Sequence, residues 1–84
     1  MPIEKNSALD READALQAAQ WREMLDREID AVSAAIEDVE KRALVEHRVG
    51  AVDRARKFDA ESGRLRDNLR ELHRMRRNLK DRFA

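Results

Sequence analysis

From residue 25 to residue 43 the apolar side chains fall at Leu25, Ile29, Val32, Ile36, Val39 and Ala43, in steps that alternate between four and three residues. That alternation keeps one stripe of an α-helix turned toward a neighbour, so the stretch predicts a packed helical seam. The same rhythm returns at Phe58, Leu65, Leu69, Leu72, Leu79 and Phe83, with Ser62 and Arg76 at the remaining seam positions. Folding the chain about Gly50 and Ala51 sets Ala43 opposite Phe58, Ile36 opposite Leu65, Val32 opposite Leu69 and Ile29 opposite Leu72, and each pair of numbers sums to 101. Two separate stretches that agree on one register predict an antiparallel helical hairpin, coiled-coil-like and all-α.

Local signals set the expected boundaries. Ser7 and Asp10 have the spacing of a capping box, and Asp10, Glu12 and Asp14 suit the positive end of a helix dipole, so helix 1 is expected over about residues 8–47 with residues 1–6 disordered. Gly50 is a natural helix stop and Asp53 a cap for the second helix, placing a turn at about 48–52 and helix 2 at about 53–82, all in one domain. Basic residues near the end of helix 2, among them Arg74, Arg76, Arg77, Lys80 and Arg82, favour its negative pole. Val45, Val49 and Val52 keep helical spacing across Gly50, so one unbroken helix is the rival, a single Gly costing only about 1 kcal/mol. Ser62-Gly63 does not interrupt the seam and is not expected to break helix 2.

A two-helix pair buries one stripe, and a chain of 84 residues seldom gains comfortable stability from one small core. A homodimeric four-helix bundle is therefore expected, and the apolar residues left outside the seam mark where association would occur. Helix 1 overhangs the end of helix 2, leaving Leu9, Ala13 and Leu16 uncovered; Trp21 and Met24 follow, with small Ala31, Ala34 and Ala35 beside the seam, and Leu44, Val45, Val49 and Val52 gather at the tip. The expected partners are a second copy and another protein.

Charge changes the picture more than composition does. Residues 1–40 hold eleven acids and four bases, whereas residues 41–84 hold fourteen bases and seven acids, so a net charge of zero hides −7 in one half and +7 in the other. Antiparallel folding lays these halves together, offering Arg42 to Glu61, Asp26 to His73 and Trp21 beneath Arg82, with one unfavourable approach of Glu40 to Asp59. Exposed pairs contribute only about 0–1 kcal/mol each, so they select register more than they stabilise. Arg76 falls opposite Leu25 on the seam and must reach water or an acid such as Glu23 or Asp26.

The chain is 43% charged and 42% apolar, with one Pro and two Gly, a composition that predicts a soluble, nearly all-helical protein without a membrane span. Residues 1–14 lack the basic and apolar regions of a secretion signal, and a cytoplasmic location is expected. Arg outnumbers Lys fourteen to four, which points to a GC-rich bacterial or phage genome.

Candidate chemistry is sparse. Without Cys or Tyr, and with three Ser and two His, nucleophile and base combinations are scarce. His47 and His73 are preceded at three residues by Leu44 and Arg70, so neither forms the Glu-x-x-His pair of a di-iron bundle. No enzyme activity, metal, cofactor or small-molecule substrate is expected. Arg66, Arg70, Arg74 and Arg77 follow one side of helix 2 and could track phosphates, although Asp67, Glu71 and Asp81 interleave with them and no aromatic residue lies among them. The stretch Ile29 to Gly50, IDAVSAAIEDVEKRALVEHRVG, is similar to the first helix of the all-helical chorismate mutases, which also runs from an Ile-Asp pair to a Val-Gly pair. The resemblance covers about a quarter of the chain and implies a small all-helical enzyme as a remote alternative. Asp26 stands about where that family carries a substrate-binding Arg, the spacing is one residue short, and Asp38 and Glu40 replace apolar core, so no site is carried over. The main expectation is a non-enzymatic interaction module (adaptor, chaperone-like or assembly factor); the competitor is a nucleic-acid-binding accessory protein using the Arg face.

Overall fold

The computed structural model describes the backbone of residues 2–83 and the side-chain surroundings of residues 9–82. Two helices, α1 (Pro2–Arg48) and α2 (Val52–Phe83), pack side by side into a hairpin of 73 × 15 × 14 Å. The unbroken-helix alternative does not occur, because the chain reverses at residues 49–51. Gly50 takes φ +77°, where only glycine is unstrained; its N–H bonds the His47 carbonyl at 3.2 Å, and the Ala51 N–H bonds the Glu46 carbonyl at 2.9 Å. These two bonds form a Schellman cap, which satisfies carbonyls that the end of α1 would otherwise leave unpaired.

Two boundaries differ from expectation. α1 is helical from Pro2, so residues 2–6 belong to the helix and Ser7 and Asp10 lie within it rather than at its cap. Proline suits a first helical position, since the N–H it lacks would have no intrahelical partner there. At the other end, the Ala55 N–H bonds the Ala51 carbonyl at 2.9 Å, making Ala51 the cap residue of α2 and placing Asp53 inside the first turn. Asp53 there still meets the positive end of the helix dipole. Beyond the cap, α2 continues through Ser62 and Gly63 without a break.

The expected register holds along the seam. Contacts between Glu46 and Arg54, between Glu40 and Ser62, and between Asp26 and Arg76 all lie within one residue of the 101 pairing. Leu25, Val32, Ile36, Val39 and Ala43 are buried on α1, and Ile29 is half-buried. Ala18 and Ala55, buried as well, extend the seam by one heptad on α1 and three residues on α2. Among the described residues of α2 only Ala55 and Ser62 are buried, whereas Phe58, Leu65, Leu69, Leu72 and Leu79 remain half-buried. Large side chains facing a single helix are covered on one side only, and among the described residues no large side chain is fully buried. Phe83, the last expected seam position, lies outside the described side chains.

Candidate interaction surface

Helix periodicity divides the hairpin into two unlike flanks. Successive residues of an α-helix turn by about 100°, so a residue preceding each seam position lies on one side and a residue following it lies on the other. On the following side stand Asp26, Glu40 and His47 of α1 with Asp59, Arg66 and His73 of α2. Polar contacts cross that flank: Arg76 Nε meets Asp26 Oδ1 at 2.6 Å, Arg66 pairs with Glu40, and His47 Nε2 lies 3.0 Å from Asp59 Oδ2. Ser62, buried, donates its hydroxyl to Glu40 Oε1 at 3.4 Å.

These partners correct the sequence-based pairings, and the direction of the side chains gives the reason. In a helix every side chain leans toward its own N-terminus, so in an antiparallel pair Glu40 leans toward the open end while Arg66 leans toward the tip, and the two converge. His47 and Asp59 converge in the same way. Glu40 and Asp59 lean apart, Glu40 meeting the Arg66 guanidinium and Asp59 the His47 ring instead of facing each other. Asp26 likewise leans away from His73 and meets Arg76, the seam arginine, which thereby obtains an acid. Arg42 does not pair with Glu61; its Nε takes Asp38 Oδ2 at 3.2 Å, one turn back on α1, where the helix already holds the acid in place.

The preceding side is different. Trp21, Met24, Val45 and Val49 lie there on α1, with relative exposures of 51%, 53%, 55% and 67%. Near the open end, a groove between the helices is lined by Trp21, Leu25, Met75, Asn78, Leu79 and Arg82, so Trp21 and Arg82 share one groove. A second groove nearer the tip is lined by Lys41, Arg42, Val45, Glu46 and Phe58. An ion pair also crosses between the helices on this flank, Arg54 Nε to Glu46 Oε2 at 2.8 Å, and ties the first turn of α2 to the last of α1. Leu9, Ala13, Leu16 and Leu44 are exposed farther round α1, and Val52 is exposed at the start of α2. The nine large or overhanging residues expected to be uncovered are therefore exposed, Ala35 beside the seam is half-buried, and the set occupies more than one face. Met75, 46% exposed, joins the surface without having been anticipated; its position one residue before seam residue Arg76 was the available signal.

No protein-family model, curated protein or solved structure matches the chain. Its surface must therefore be read from its own residues.

Three of the four arginines proposed as a phosphate track are engaged. Arg66 pairs with Glu40, Arg70 with Asp67, and Arg74 Nη2 with Glu71 Oε1 at 2.6 Å. A different basic grouping lies at the open end, where Arg22, His73, Arg76, Arg77 and Lys80 line one cleft. Both Arg22 and Arg76 occupy seam positions, where the long guanidinium side chains extend to the edge of the seam and line this cleft. Among the described residues no group of three or more His, Asp or Glu could hold a metal ion, and no helix is long and apolar enough to cross a membrane.

Proposed function

We propose that this chain is a small non-enzymatic interaction module that works by helix-on-helix recognition, as an adaptor or assembly factor, and that it self-associates into a four-helix bundle. The observation supporting this reading is its surface. A compact monomer of 9.8 kDa exposes about 5,200 Å² by the usual size scaling, whereas the hairpin exposes 7033 Å². The excess, roughly 1,800 Å², exceeds the roughly 800 Å² per partner of a standard specific interface. It includes large apolar side chains that a second helical layer would cover, and the half-buried leucines of α2 would gain cover from the same layer.

Light scattering on the purified chain, freed of nucleic acid and measured at low and moderate salt, tests the reading. A dimer is expected at both, and replacing Leu9, Leu16 and Trp21 by Ala should reduce the mass while helicity is retained. A helical monomer that captures no partner would remove the module from consideration.

The second reading is a nucleic-acid-binding accessory protein. It draws on the cleft of Arg22, His73, Arg76, Arg77 and Lys80, but acids pair with most of the neighbouring arginine track and no Trp, Tyr or Phe lines the cleft.

A further inference from the structure

The exposed flank of α1 contains a second seam. Positions 21, 24, 28, 31, 35, 38, 42, 45 and 49 advance in alternating steps of three and four, repeating the buried stripe one residue earlier along the chain. Their occupants are Trp, Met, Glu, Ala, Ala, Asp, Arg, Val and Val. Every seventh residue, Trp21, Glu28, Ala35, Arg42 and Val49, forms a series that complements itself when reversed about Ala35. Reversal sets Trp21 against Val49, Glu28 against Arg42, and Ala35 against itself.

We propose that two copies of this chain dimerise through this flank, α1 lying antiparallel to α1 with Ala35 on the two-fold axis, so that Glu28 of each copy meets Arg42 of the other. This rests on the self-association reading above and adds the face, direction and register. An isologous interface requires a surface that complements itself under a two-fold rotation, and this series meets that condition in both charge and apolar character. Parallel pairing in register would set Glu28 on Glu28 and Arg42 on Arg42, which is repulsive. Ala31 and Ala35 are small where the two helices cross the axis, allowing close approach, while the bulky residues lie toward the ends.

The grooves fit the same arrangement. Val49 of a second copy would arrive beside Trp21, at the open-end groove formed with Leu25, Met75 and Leu79. Met24 and Glu28 of that copy would arrive at the other groove, which offers Val45 and Phe58 to the thioether and Lys41 and Arg42 to the carboxylate. Arg42 already holds Asp38 through Nε, and the remaining N–H donors of its guanidinium can take a second acid. From Trp21 to Val49 the contact would run about 42 Å at 1.5 Å per residue, leaving the ion-paired flank in water.

Sedimentation equilibrium on the full chain tests this. Glu28→Arg and Arg42→Glu should each raise the dimer dissociation constant about tenfold, since symmetry makes each change act twice, and the double variant should return to within about threefold of the parent. Single reversals that leave a dimer's dissociation constant unchanged, or a double variant that fails to recover, would overturn the proposed register. A parent chain that stays monomeric would overturn the self-association reading itself. The chain has no cysteine, so Ala35→Cys provides a second readout. Mild oxidation should link Ala35→Cys chains into covalent dimers and leave Ala60→Cys, on the exposed side of α2, mostly unlinked; equal linking of both would count against Ala35 at the axis.

Discussion

Arg76 reaches across the hairpin to Asp26, with Nε 2.6 Å from Oδ1 and both side chains about half exposed. The pair occupies a seam position opposite buried Leu25, where an apolar residue would complete the stripe. An exposed or half-exposed ion pair contributes about 0–1 kcal/mol, whereas burying a leucine side chain contributes about 1.5–3 kcal/mol when complete and less here. Arg76→Leu should therefore stabilise the fold by up to about 1 kcal/mol, read as a higher urea midpoint at fixed protein concentration. A lower midpoint would show that the pair holds the open end together.

The two glycines should respond to the same substitution with opposite signs. At Gly50 an added Cβ meets no atom within 4 Å, so Gly50→Ala incurs only the backbone cost of φ +77°, about 1–2 kcal/mol of destabilisation. Gly63 lies inside α2 with the same open space around it, and Gly63→Ala should stabilise by about 0.5–1 kcal/mol. Thermal unfolding followed by circular dichroism compares them directly. Equal signs would mean that the cap at Gly50 contributes nothing.

Position relative to the seam should govern the cost of truncation. Ile36, 7% exposed, faces α2, and Ile36→Ala should cost about 2–4 kcal/mol. Leu44, 52% exposed, lies on a face remote from both α2 and the Ala35 axis, so Leu44→Ala should cost less than about 0.5 kcal/mol. Urea titration of the two variants measures the difference, and a large effect at Leu44 would locate a further contact on that side of α1.

Acids already occupy Arg66, Arg70 and Arg74, so the track on α2 should bind nucleic acid weakly at moderate salt. Fluorescence anisotropy with single-stranded and duplex DNA over a salt series is the measurement. Tight binding with a steep salt slope, lost when Arg70, Arg74 and Arg77 are changed to Glu, would favour the nucleic-acid reading over the interaction module.

Two helices, a turn at Gly50 and the 101 register are legible in the sequence by itself, because the evidence for each is one-dimensional. Alternating steps of three and four residues define a stripe wherever the helix lies, and glycine tolerates the left-handed backbone that ends α1. The exposure of Leu9, Leu16, Trp21 and Met24 follows by subtraction from that stripe. Partner choice among charges does not follow from level alone. Glu40 takes Arg66, and Asp26 takes Arg76, because side chains lean toward the N-termini of helices running in opposite directions. Only the tertiary structure decided which flank carries the Glu40–Arg66 and Asp26–Arg76 pairs and which carries the apolar groove at Trp21, since that depends on how two leaning rows of side chains meet in three dimensions.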